Sequence, residues 1–428
     1  MIRLRSLPLA LLIAAAVAAT AWWHAAAPAD AVIADQYPLA DPAPELRAVT
    51  AAGDELRQHA SIIAPHLPGQ DEVVLQEDRG RAFVTALDGQ IWRLDLASGA
   101  ARPWVRAPLI PAGARFDPRN PDLLYFCASR LHGRASAPDE RPGLYRLHIE
   151  SRRIEPVLLD VPAGALGHEA VPAASAALAL DAMTPANSRP VQFCNDLDIS
   201  ADGQRIVFSE PFAAADASMG GGAFNEAITR ARNGRLWLVD LQRRSVRLAA
   251  SGFAFIDGVL WDAPSAGGGE ETSLLITETT NFRLLRLHLG DAGPGRFEVL
   301  HANLPGLPDG LDRDPQGRIW IGLIKLRTPL ATTLHNHAWL KSLLLRLPRS
   351  WLPVGRSSGV MALSPDGRTP LYASLHDGSV VPDISVVVPG RDRLYLPRFR
   401  PDVGGLAVLP YPAALDAKRS AMTAVPAP

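Results

Sequence analysis

The chain is short of cysteine, has no surplus of either charge and shows no long helical pattern, and each shortage removes a class of protein. Cys127 and Cys194 are its only cysteines in 428 residues. They form no Cys-x-x-Cys pair, which argues against a structural zinc site. They allow one disulfide if the chain is exported, or two thiols packed in strands. Lys and Arg total 43 against 44 for Asp and Glu, a formal net charge of -1. A nucleic-acid partner needs a basic surplus or stripe, so none is expected. Apolar residues at helical spacing are scarce, and His337–Leu347 is the best candidate for a short helix.

What is plentiful is turn chemistry and short strands. The 34 glycines and 38 prolines supply positive and fixed φ angles. Between them lie short runs such as Arg81–Ala86, Leu123–Cys127, Arg205–Ser209, Arg235–Asp240, Ser273–Thr277 and Arg393–Leu396. Many alternate apolar and polar residues, as half-buried strands do. One phrase recurs: a turn, often ending in glycine, then an apolar residue, an aromatic and a strand. It reads Gly89-Gln90-Ile91-Trp92, Gly143-Leu144-Tyr145, Gly234-Arg235-Leu236-Trp237, Gly317-Arg318-Ile319-Trp320 and Arg393-Leu394-Tyr395. Repetition on this scale points to an all-β, six-bladed β-propeller, from about 370 folded residues at roughly 60 per blade. A β-sandwich pair or several small β domains is the competing arrangement. No linker-like composition interrupts the body, which favours one closed unit. The apolar, Pro- and Ala-rich stretch Val161–Pro190 reads as a long surface loop or lid.

The N-terminus carries an address. Arg3 and Arg5 precede the apolar run Leu7–Trp23, the pattern of a signal peptide or an uncleaved signal-anchor. Trp22 and Trp23 suit a membrane interface, whereas Ala25–Ala27 offers small-residue cleavage sites. Either way the folded part is expected on the periplasmic or extracellular side, with a membrane contact through this segment. The resulting division is 1–25 signal or anchor, 26–44 linker, 45–412 propeller and 413–428 flexible tail.

Four polar positions interrupt apolar strands at comparable places. They are Asp71 in Asp71-Glu72-Val73-Val74, Asn195 in Asn195-Asp196-Leu197, Asp257 in Ile256-Asp257-Gly258-Val259 and Asp309 in Pro308-Asp309-Gly310-Leu311. Each alone is an ordinary turn residue, since Asp-Gly and Pro-Asp-Gly are turn sequences. In a propeller, however, the starts of the innermost strands converge on the central channel. Carboxylates gathered there repel unless a cation joins them, and oxygen donors of this kind suit Ca2+. His376, in a strand-end phrase, is a candidate for the channel mouth and for a catalytic role.

Several of these phrases carry a resemblance. Phe255-Ile256-Asp257-Gly258-Val259, Leu275-Ile276-Thr277-Glu278-Thr279, Leu304–Gly310 and Ile319-Trp320-Ile321-Gly322, followed by Ser374-Leu375-His376-Asp377-Gly378, resemble the strictosidine-synthase-like and adipocyte plasma-membrane-associated protein family. That family belongs with gluconolactonase, senescence marker protein and paraoxonase. The resemblance implies a six-bladed propeller with calcium in its channel and metal-binding roles for Asp71, Asn195, Asp257 and Asp309. Asp71 stands where the family usually has Glu, and Asp257 where Asn is usual. The catalytic Glu of strictosidine synthase falls here at Pro382 or Asp383, which argues against condensing chemistry. The implied activity is calcium-dependent hydrolysis of a small lactone or aryl ester, with Asp309 as general base or as ligand. Two alternatives stand beside it: a non-catalytic binding propeller with a structural calcium, and a synthase-like condensing enzyme.

Overall fold

The expected strand runs form antiparallel strands, shifted at their ends by a few residues at most. The computed structural model describes residues 7–25, 38–51, 53–163, 176–212, 214, 216–262, 271–289, 296–352, 355–413 and 415. Within them lie six radial sheets of a β-propeller. Blade 1 is Gln70–Gln76, Arg81–Ala86, Gln90–Asp95 and Ala101–Arg106. Blade 2 runs from Ile110–Asp117 to Arg153–Leu158, and blade 3 from Leu197–Ile199 to Ser245–Phe253, with Leu178–Ala179 added at its outer edge. Blade 4 runs from Ile256–Trp261 to Arg296–His301, and blade 5 from Gly306–Arg313 to Pro370–His376. Blade 6 holds Val388–Pro389, Arg393–Leu396 and Leu406–Pro410. Its fourth strand is Ser61–Ile63 from the opposite end of the chain. That strand closes the ring, which removes the two free edges an open array would expose.

In blades 1, 2, 4 and 5 the first strand in sequence is innermost, in blades 3 and 6 the innermost strands are Leu197–Ile199 and Val388–Pro389, and from blade 1 round to blade 6 consecutive inner strands pack against one another. The apolar core is divided accordingly into six clusters, each between two neighbouring blades. Leu284 with Leu311 between blades 4 and 5, and Trp320 with Leu394 between blades 5 and 6, are examples. Because burial is satisfied between blades, the axis itself is left to polar side chains.

Some expectations are corrected. The recurring aromatic phrase falls on third strands in blades 1 to 3 but on second strands in blades 5 and 6. A turn glycine followed by an aromatic therefore marks a strand start, not a fixed radius. The single helix expected over His337–Leu347 is the second of a pair, Pro329–His335 and Ala338–Leu344. The end of the expected linker is packed: Leu39 is buried between blades 4 and 5, and its backbone N and O bond the Asn336 amide at 2.7 and 2.9 Å. Leu7–Ala25 is helical. Among the described residues no helix is long and apolar enough to cross a membrane. Arg3 and Arg5, most of the expected linker, the middle of the proposed lid and nearly all of the tail lie outside the described residues.

Candidate metal centre at the channel mouth

The Asp-Gly pairs that read as turns lie inside strands, at β-bulges. In blade 4 Asp257 and Gly258 together oppose one residue of the second strand, and in blade 5 Asp309 and Gly310 do the same. The pairing of blade 1 slips between Gln70 and Glu72, at Asp71, and that of blade 2 between Pro111 and Ala114. A bulge re-aims the extra side chain, which is Asp71, Asp257 and Asp309 in blades 1, 4 and 5, while in blade 2 the bulge holds Ala112 and Gly113 and in blade 3 Asn195 precedes an unbulged strand. Two glycines let the inner strands close up. A Cβ on Gly258 would lie 2.6 Å from Asp309 O, and one on Gly113 would lie 2.3 Å from Asp196 Oδ1.

These features bring Asp71, Asn195, Asp257 and Asp309 to one recess, all four of the expected set. Glu72, Asp196, Gly113, Gly310 and Ser385 complete its lining, with about 240 Å3 of empty space partly open to solvent. The backbone frame is tightly bonded. Ser385 Oγ donates to Asp71 O at 2.5 Å, and Thr277 Oγ1 to Asp309 O at 2.8 Å. Asn195 donates N–H to Ser209 O at 3.0 Å and accepts from Gly113 N at 2.9 Å. The two cysteines are joined as Cys127–Cys194, which staples the residue before Asn195 to blade 2.

The electrostatics are one-sided. Burial pushes the Asp71, Asp257 and Asp309 carboxyls above the ordinary range. Neighbouring carboxylates push Asp71 and Asp309 further. The hydrogen bond between the two carboxyls works in opposite directions, lowering Asp257 and raising Asp309. Asn195 Nδ2 also donates to Asp257 Oδ1. No basic side chain lines this recess. One layer further in, a guanidinium is present. Arg115 Nη1 donates to Glu72 Oε2 at 2.8 Å, and its Nε lies 3.7 Å from Asp198 Oδ1. Burial still raises Glu72 to about 7 and Asp198 to about 6 against the pull of Arg115.

The donor chemistry fits a hard cation. The recess offers only oxygen-bearing side chains, with neither imidazole nor thiolate, as Ca2+ prefers. Among the described residues no three His, Cys, Asp or Glu side chains already stand as a ligand set. Their oxygens are turned instead to the Asn195–Asp257 and Asp257–Asp309 hydrogen bonds. A half-turn of the Asn195 amide would present its oxygen to the recess.

His376 does not join them. Pro370–His376 is the outermost strand of blade 5, so its end lies at the rim and away from the axis. Both ring nitrogens are engaged: Nε2 accepts from Val380 N at 2.9 Å, which leaves Nδ1 to donate to Asp54 Oδ2 at 2.8 Å. The residue ties the N-terminal segment to blade 5. Asp383, one of the two positions (with Pro382) expected to match the strictosidine synthase acid, is held by Lys325 Nζ and by Arg400 Nη1 at 2.7 Å. It has no free carboxylate for acid–base work. Sequence reasoning passed over Glu72, Asp196, Arg115 and Ser385. The first two were visible as second members of the Asp71-Glu72 and Asn195-Asp196 doublets. Arg115 was visible as a lone cation in the apolar run Ile110–Phe116.

Fold and site together define a six-bladed β-propeller with an acid-lined channel mouth. Its homologues carry the names that the motifs suggested. Strictosidine synthase-like 13 of Arabidopsis thaliana is 32% identical over 165 residues, 39% of this chain and 38% of that protein. The adipocyte plasma membrane-associated protein of Mus musculus is 25% identical over 357 residues, 81% of this chain and 77% of that protein. The alignments to that strictosidine synthase-like protein, to strictosidine synthase-like 10 of Arabidopsis thaliana and to the adipocyte plasma membrane-associated protein of Danio rerio span only 38%, 44% and 51% of those proteins. The chain thus spans about half of their length or less. No family model matches. A solved gluconolactonase from Xanthomonas campestris shares the fold with TM-score 0.51 at 16% identity, covering 90% of this chain and 98% of its own.

Proposed function

We propose that the chain is a calcium-dependent hydrolase of lactones or aryl esters, acting at the channel mouth. One observation carries the reading: three carboxylates and an amide from four blades line one recess that, among the described residues, holds no basic side chain. Asp71, Asn195, Asp257 and Asp309 would hold the ion. Bound there, calcium supplies a Lewis acid for the ester carbonyl and its developing oxyanion. The chain's own groups do the rest. Asp309 takes the proton of the attacking water, with Asp257 beside it to share the proton. Asn195 orients the substrate through its amide. The gluconolactonase name of a protein with this fold supports a lactone as substrate. The basic, apolar N-terminus and the Cys127–Cys194 bond support export to an oxidising compartment.

The full-length protein should turn over members of a panel of lactones and aryl acetates. Chelation should abolish that activity, and Asp309→Ala should lower kcat by about a thousandfold. Inactivity across the panel at saturating calcium would overturn the reading. Asp257, one charge more than the amide usual at its position, favours a second reading in which calcium is a structural pin. That version gives a melting temperature that falls on chelation, without turnover.

A further inference from the structure

A second recess, of opposite character, lies on the same face between blades 1 and 2. Its walls carry Arg106, Arg130 and Arg134, and its floor is Leu109, Ile110 and Leu131. The space is about 280 Å3, partly open to solvent. Arg134 has a structural task, since Nη1 and Nη2 donate to Leu87 O and Asp88 O at 2.6 Å each. That bond pair fixes the wall of the recess. One carboxylate, Glu140, reaches the site and is already engaged with Ala137 N at 3.0 Å. Arg106 and Arg130 make no ion pair or side-chain hydrogen bond among the described residues.

Guanidinium groups drawn to one recess repel one another, and an anion between them reverses the sign of that term. Their planar forks match the oxygens of a phosphate or carboxylate better than a lysine would. The buried floor, with Leu109 5% and Ile110 3% exposed, asks for apolar contact beneath the charged head. The channel mouth repels the same head, because its lining is acidic. The two recesses are neighbours: Ile110 opens the inner strand whose Gly113 lines the acidic site, about 10 Å further along.

We propose that this recess is a second ligand site. It binds the phosphate or carboxylate head of an amphipathic molecule on Arg106 and Arg130, with the apolar body over Leu109 and Leu131. The inference stands apart from the hydrolase reading, since it needs neither calcium nor turnover. Phenyl phosphate, inorganic phosphate and phenol serve as probes in calorimetric titration of the full-length protein. Phenyl phosphate should saturate one site, more tightly than inorganic phosphate. Arg106→Ala/Arg130→Ala should weaken it by at least about tenfold at an unchanged melting temperature. Arg106→Lys/Arg130→Lys, which keeps charge but loses the forks, should fall in between and guards against misfolding of the first variant. Flotation with phosphatidylcholine vesicles, with and without phosphatidic acid, separates the sources of the head group. Arginine-dependent capture only with phosphatidic acid assigns a lipid head, and binding of phenyl phosphate without capture assigns a free molecule. Failure of phenyl phosphate to saturate, equal binding of phenol, or binding unchanged in both double variants would overturn the proposal.

Discussion

The two acidic layers along the propeller axis differ in whether a cation is built into them. The inner layer has one built in: Arg115 reaches Glu72 and Asp198 and donates to Leu311 O at 3.2 Å, pinning blades 1, 2, 3 and 5 together. The outer layer, Asp71, Asp257 and Asp309, has only other acids and an amide for company. Both layers lose solvation, since Glu72, Asp198, Asp257 and Asp309 are buried and Asp71 is half-buried. The inner one recovers part of it through a guanidinium that folding always provides. The outer one recovers it only by protonation or by an ion from solution. A chain that needed rigidity alone could place an arginine in both. On the proposed reading, leaving the outer ring without one keeps a cation position open at the cost of stability when no ion is bound.

The strongest way to break the contrast is to empty the inner layer as well. Arg115→Met should cost up to about 5 kcal/mol at pH 7.5, because buried carboxylates lose their partner. The loss should shrink near pH 5, where those groups accept protons; denaturant titration at both values checks it. Next in size is the staple beside Asn195. Cys127→Ser/Cys194→Ser opens a loop with a sequence separation of 67. It should cost about 4 kcal/mol by loop-closure entropy, read by the same titration. A third effect concerns pH in the calcium-free protein. Burial raises Glu72 from 4.5 to about 7. A raised acid stabilises the fold fully below its unfolded value, and that contribution is lost as pH rises through about 7. Glu72 alone would account for about 3 kcal/mol between pH 4.5 and 7. Thermal melts in chelator should therefore fall over that range, and added calcium should flatten the curve. The smallest effect is at the rim. His376→Gln should cost about 1 kcal/mol through its bond to Asp54 and leave kcat unchanged.

Asp257 and Asp309 were legible because each interrupts an apolar run, Ile256–Trp261 and Leu304–Leu311, and is followed by the glycine that close approach requires. Their bulges were not, since Asp-Gly spells a turn and a bulge alike. Position along a strand can be read from alternation, but distance from the axis cannot. That is why His376, on an outer strand, resembled a channel residue. The closing strand Ser61–Ile63 was hidden for a different reason. It is three residues long and partly exposed, and its partner Leu406–Pro410 lies at the other end of the chain. The disulfide was open between two readings until the fold brought Cys127 and Cys194 to a Cα separation of 5.0 Å.

Calcium titration of chelator-stripped, full-length protein goes to the heart of the contrast between the layers. One ion per chain should bind with release of protons, because burial and neighbouring carboxylates raise the affinity of the outer carboxyls for protons. Asp309→Asn should weaken binding by at least about tenfold, while Arg115→Met should leave one site per chain. Absence of binding at millimolar calcium, or binding indifferent to Asp309→Asn, would show that the outer ring is not a cation site.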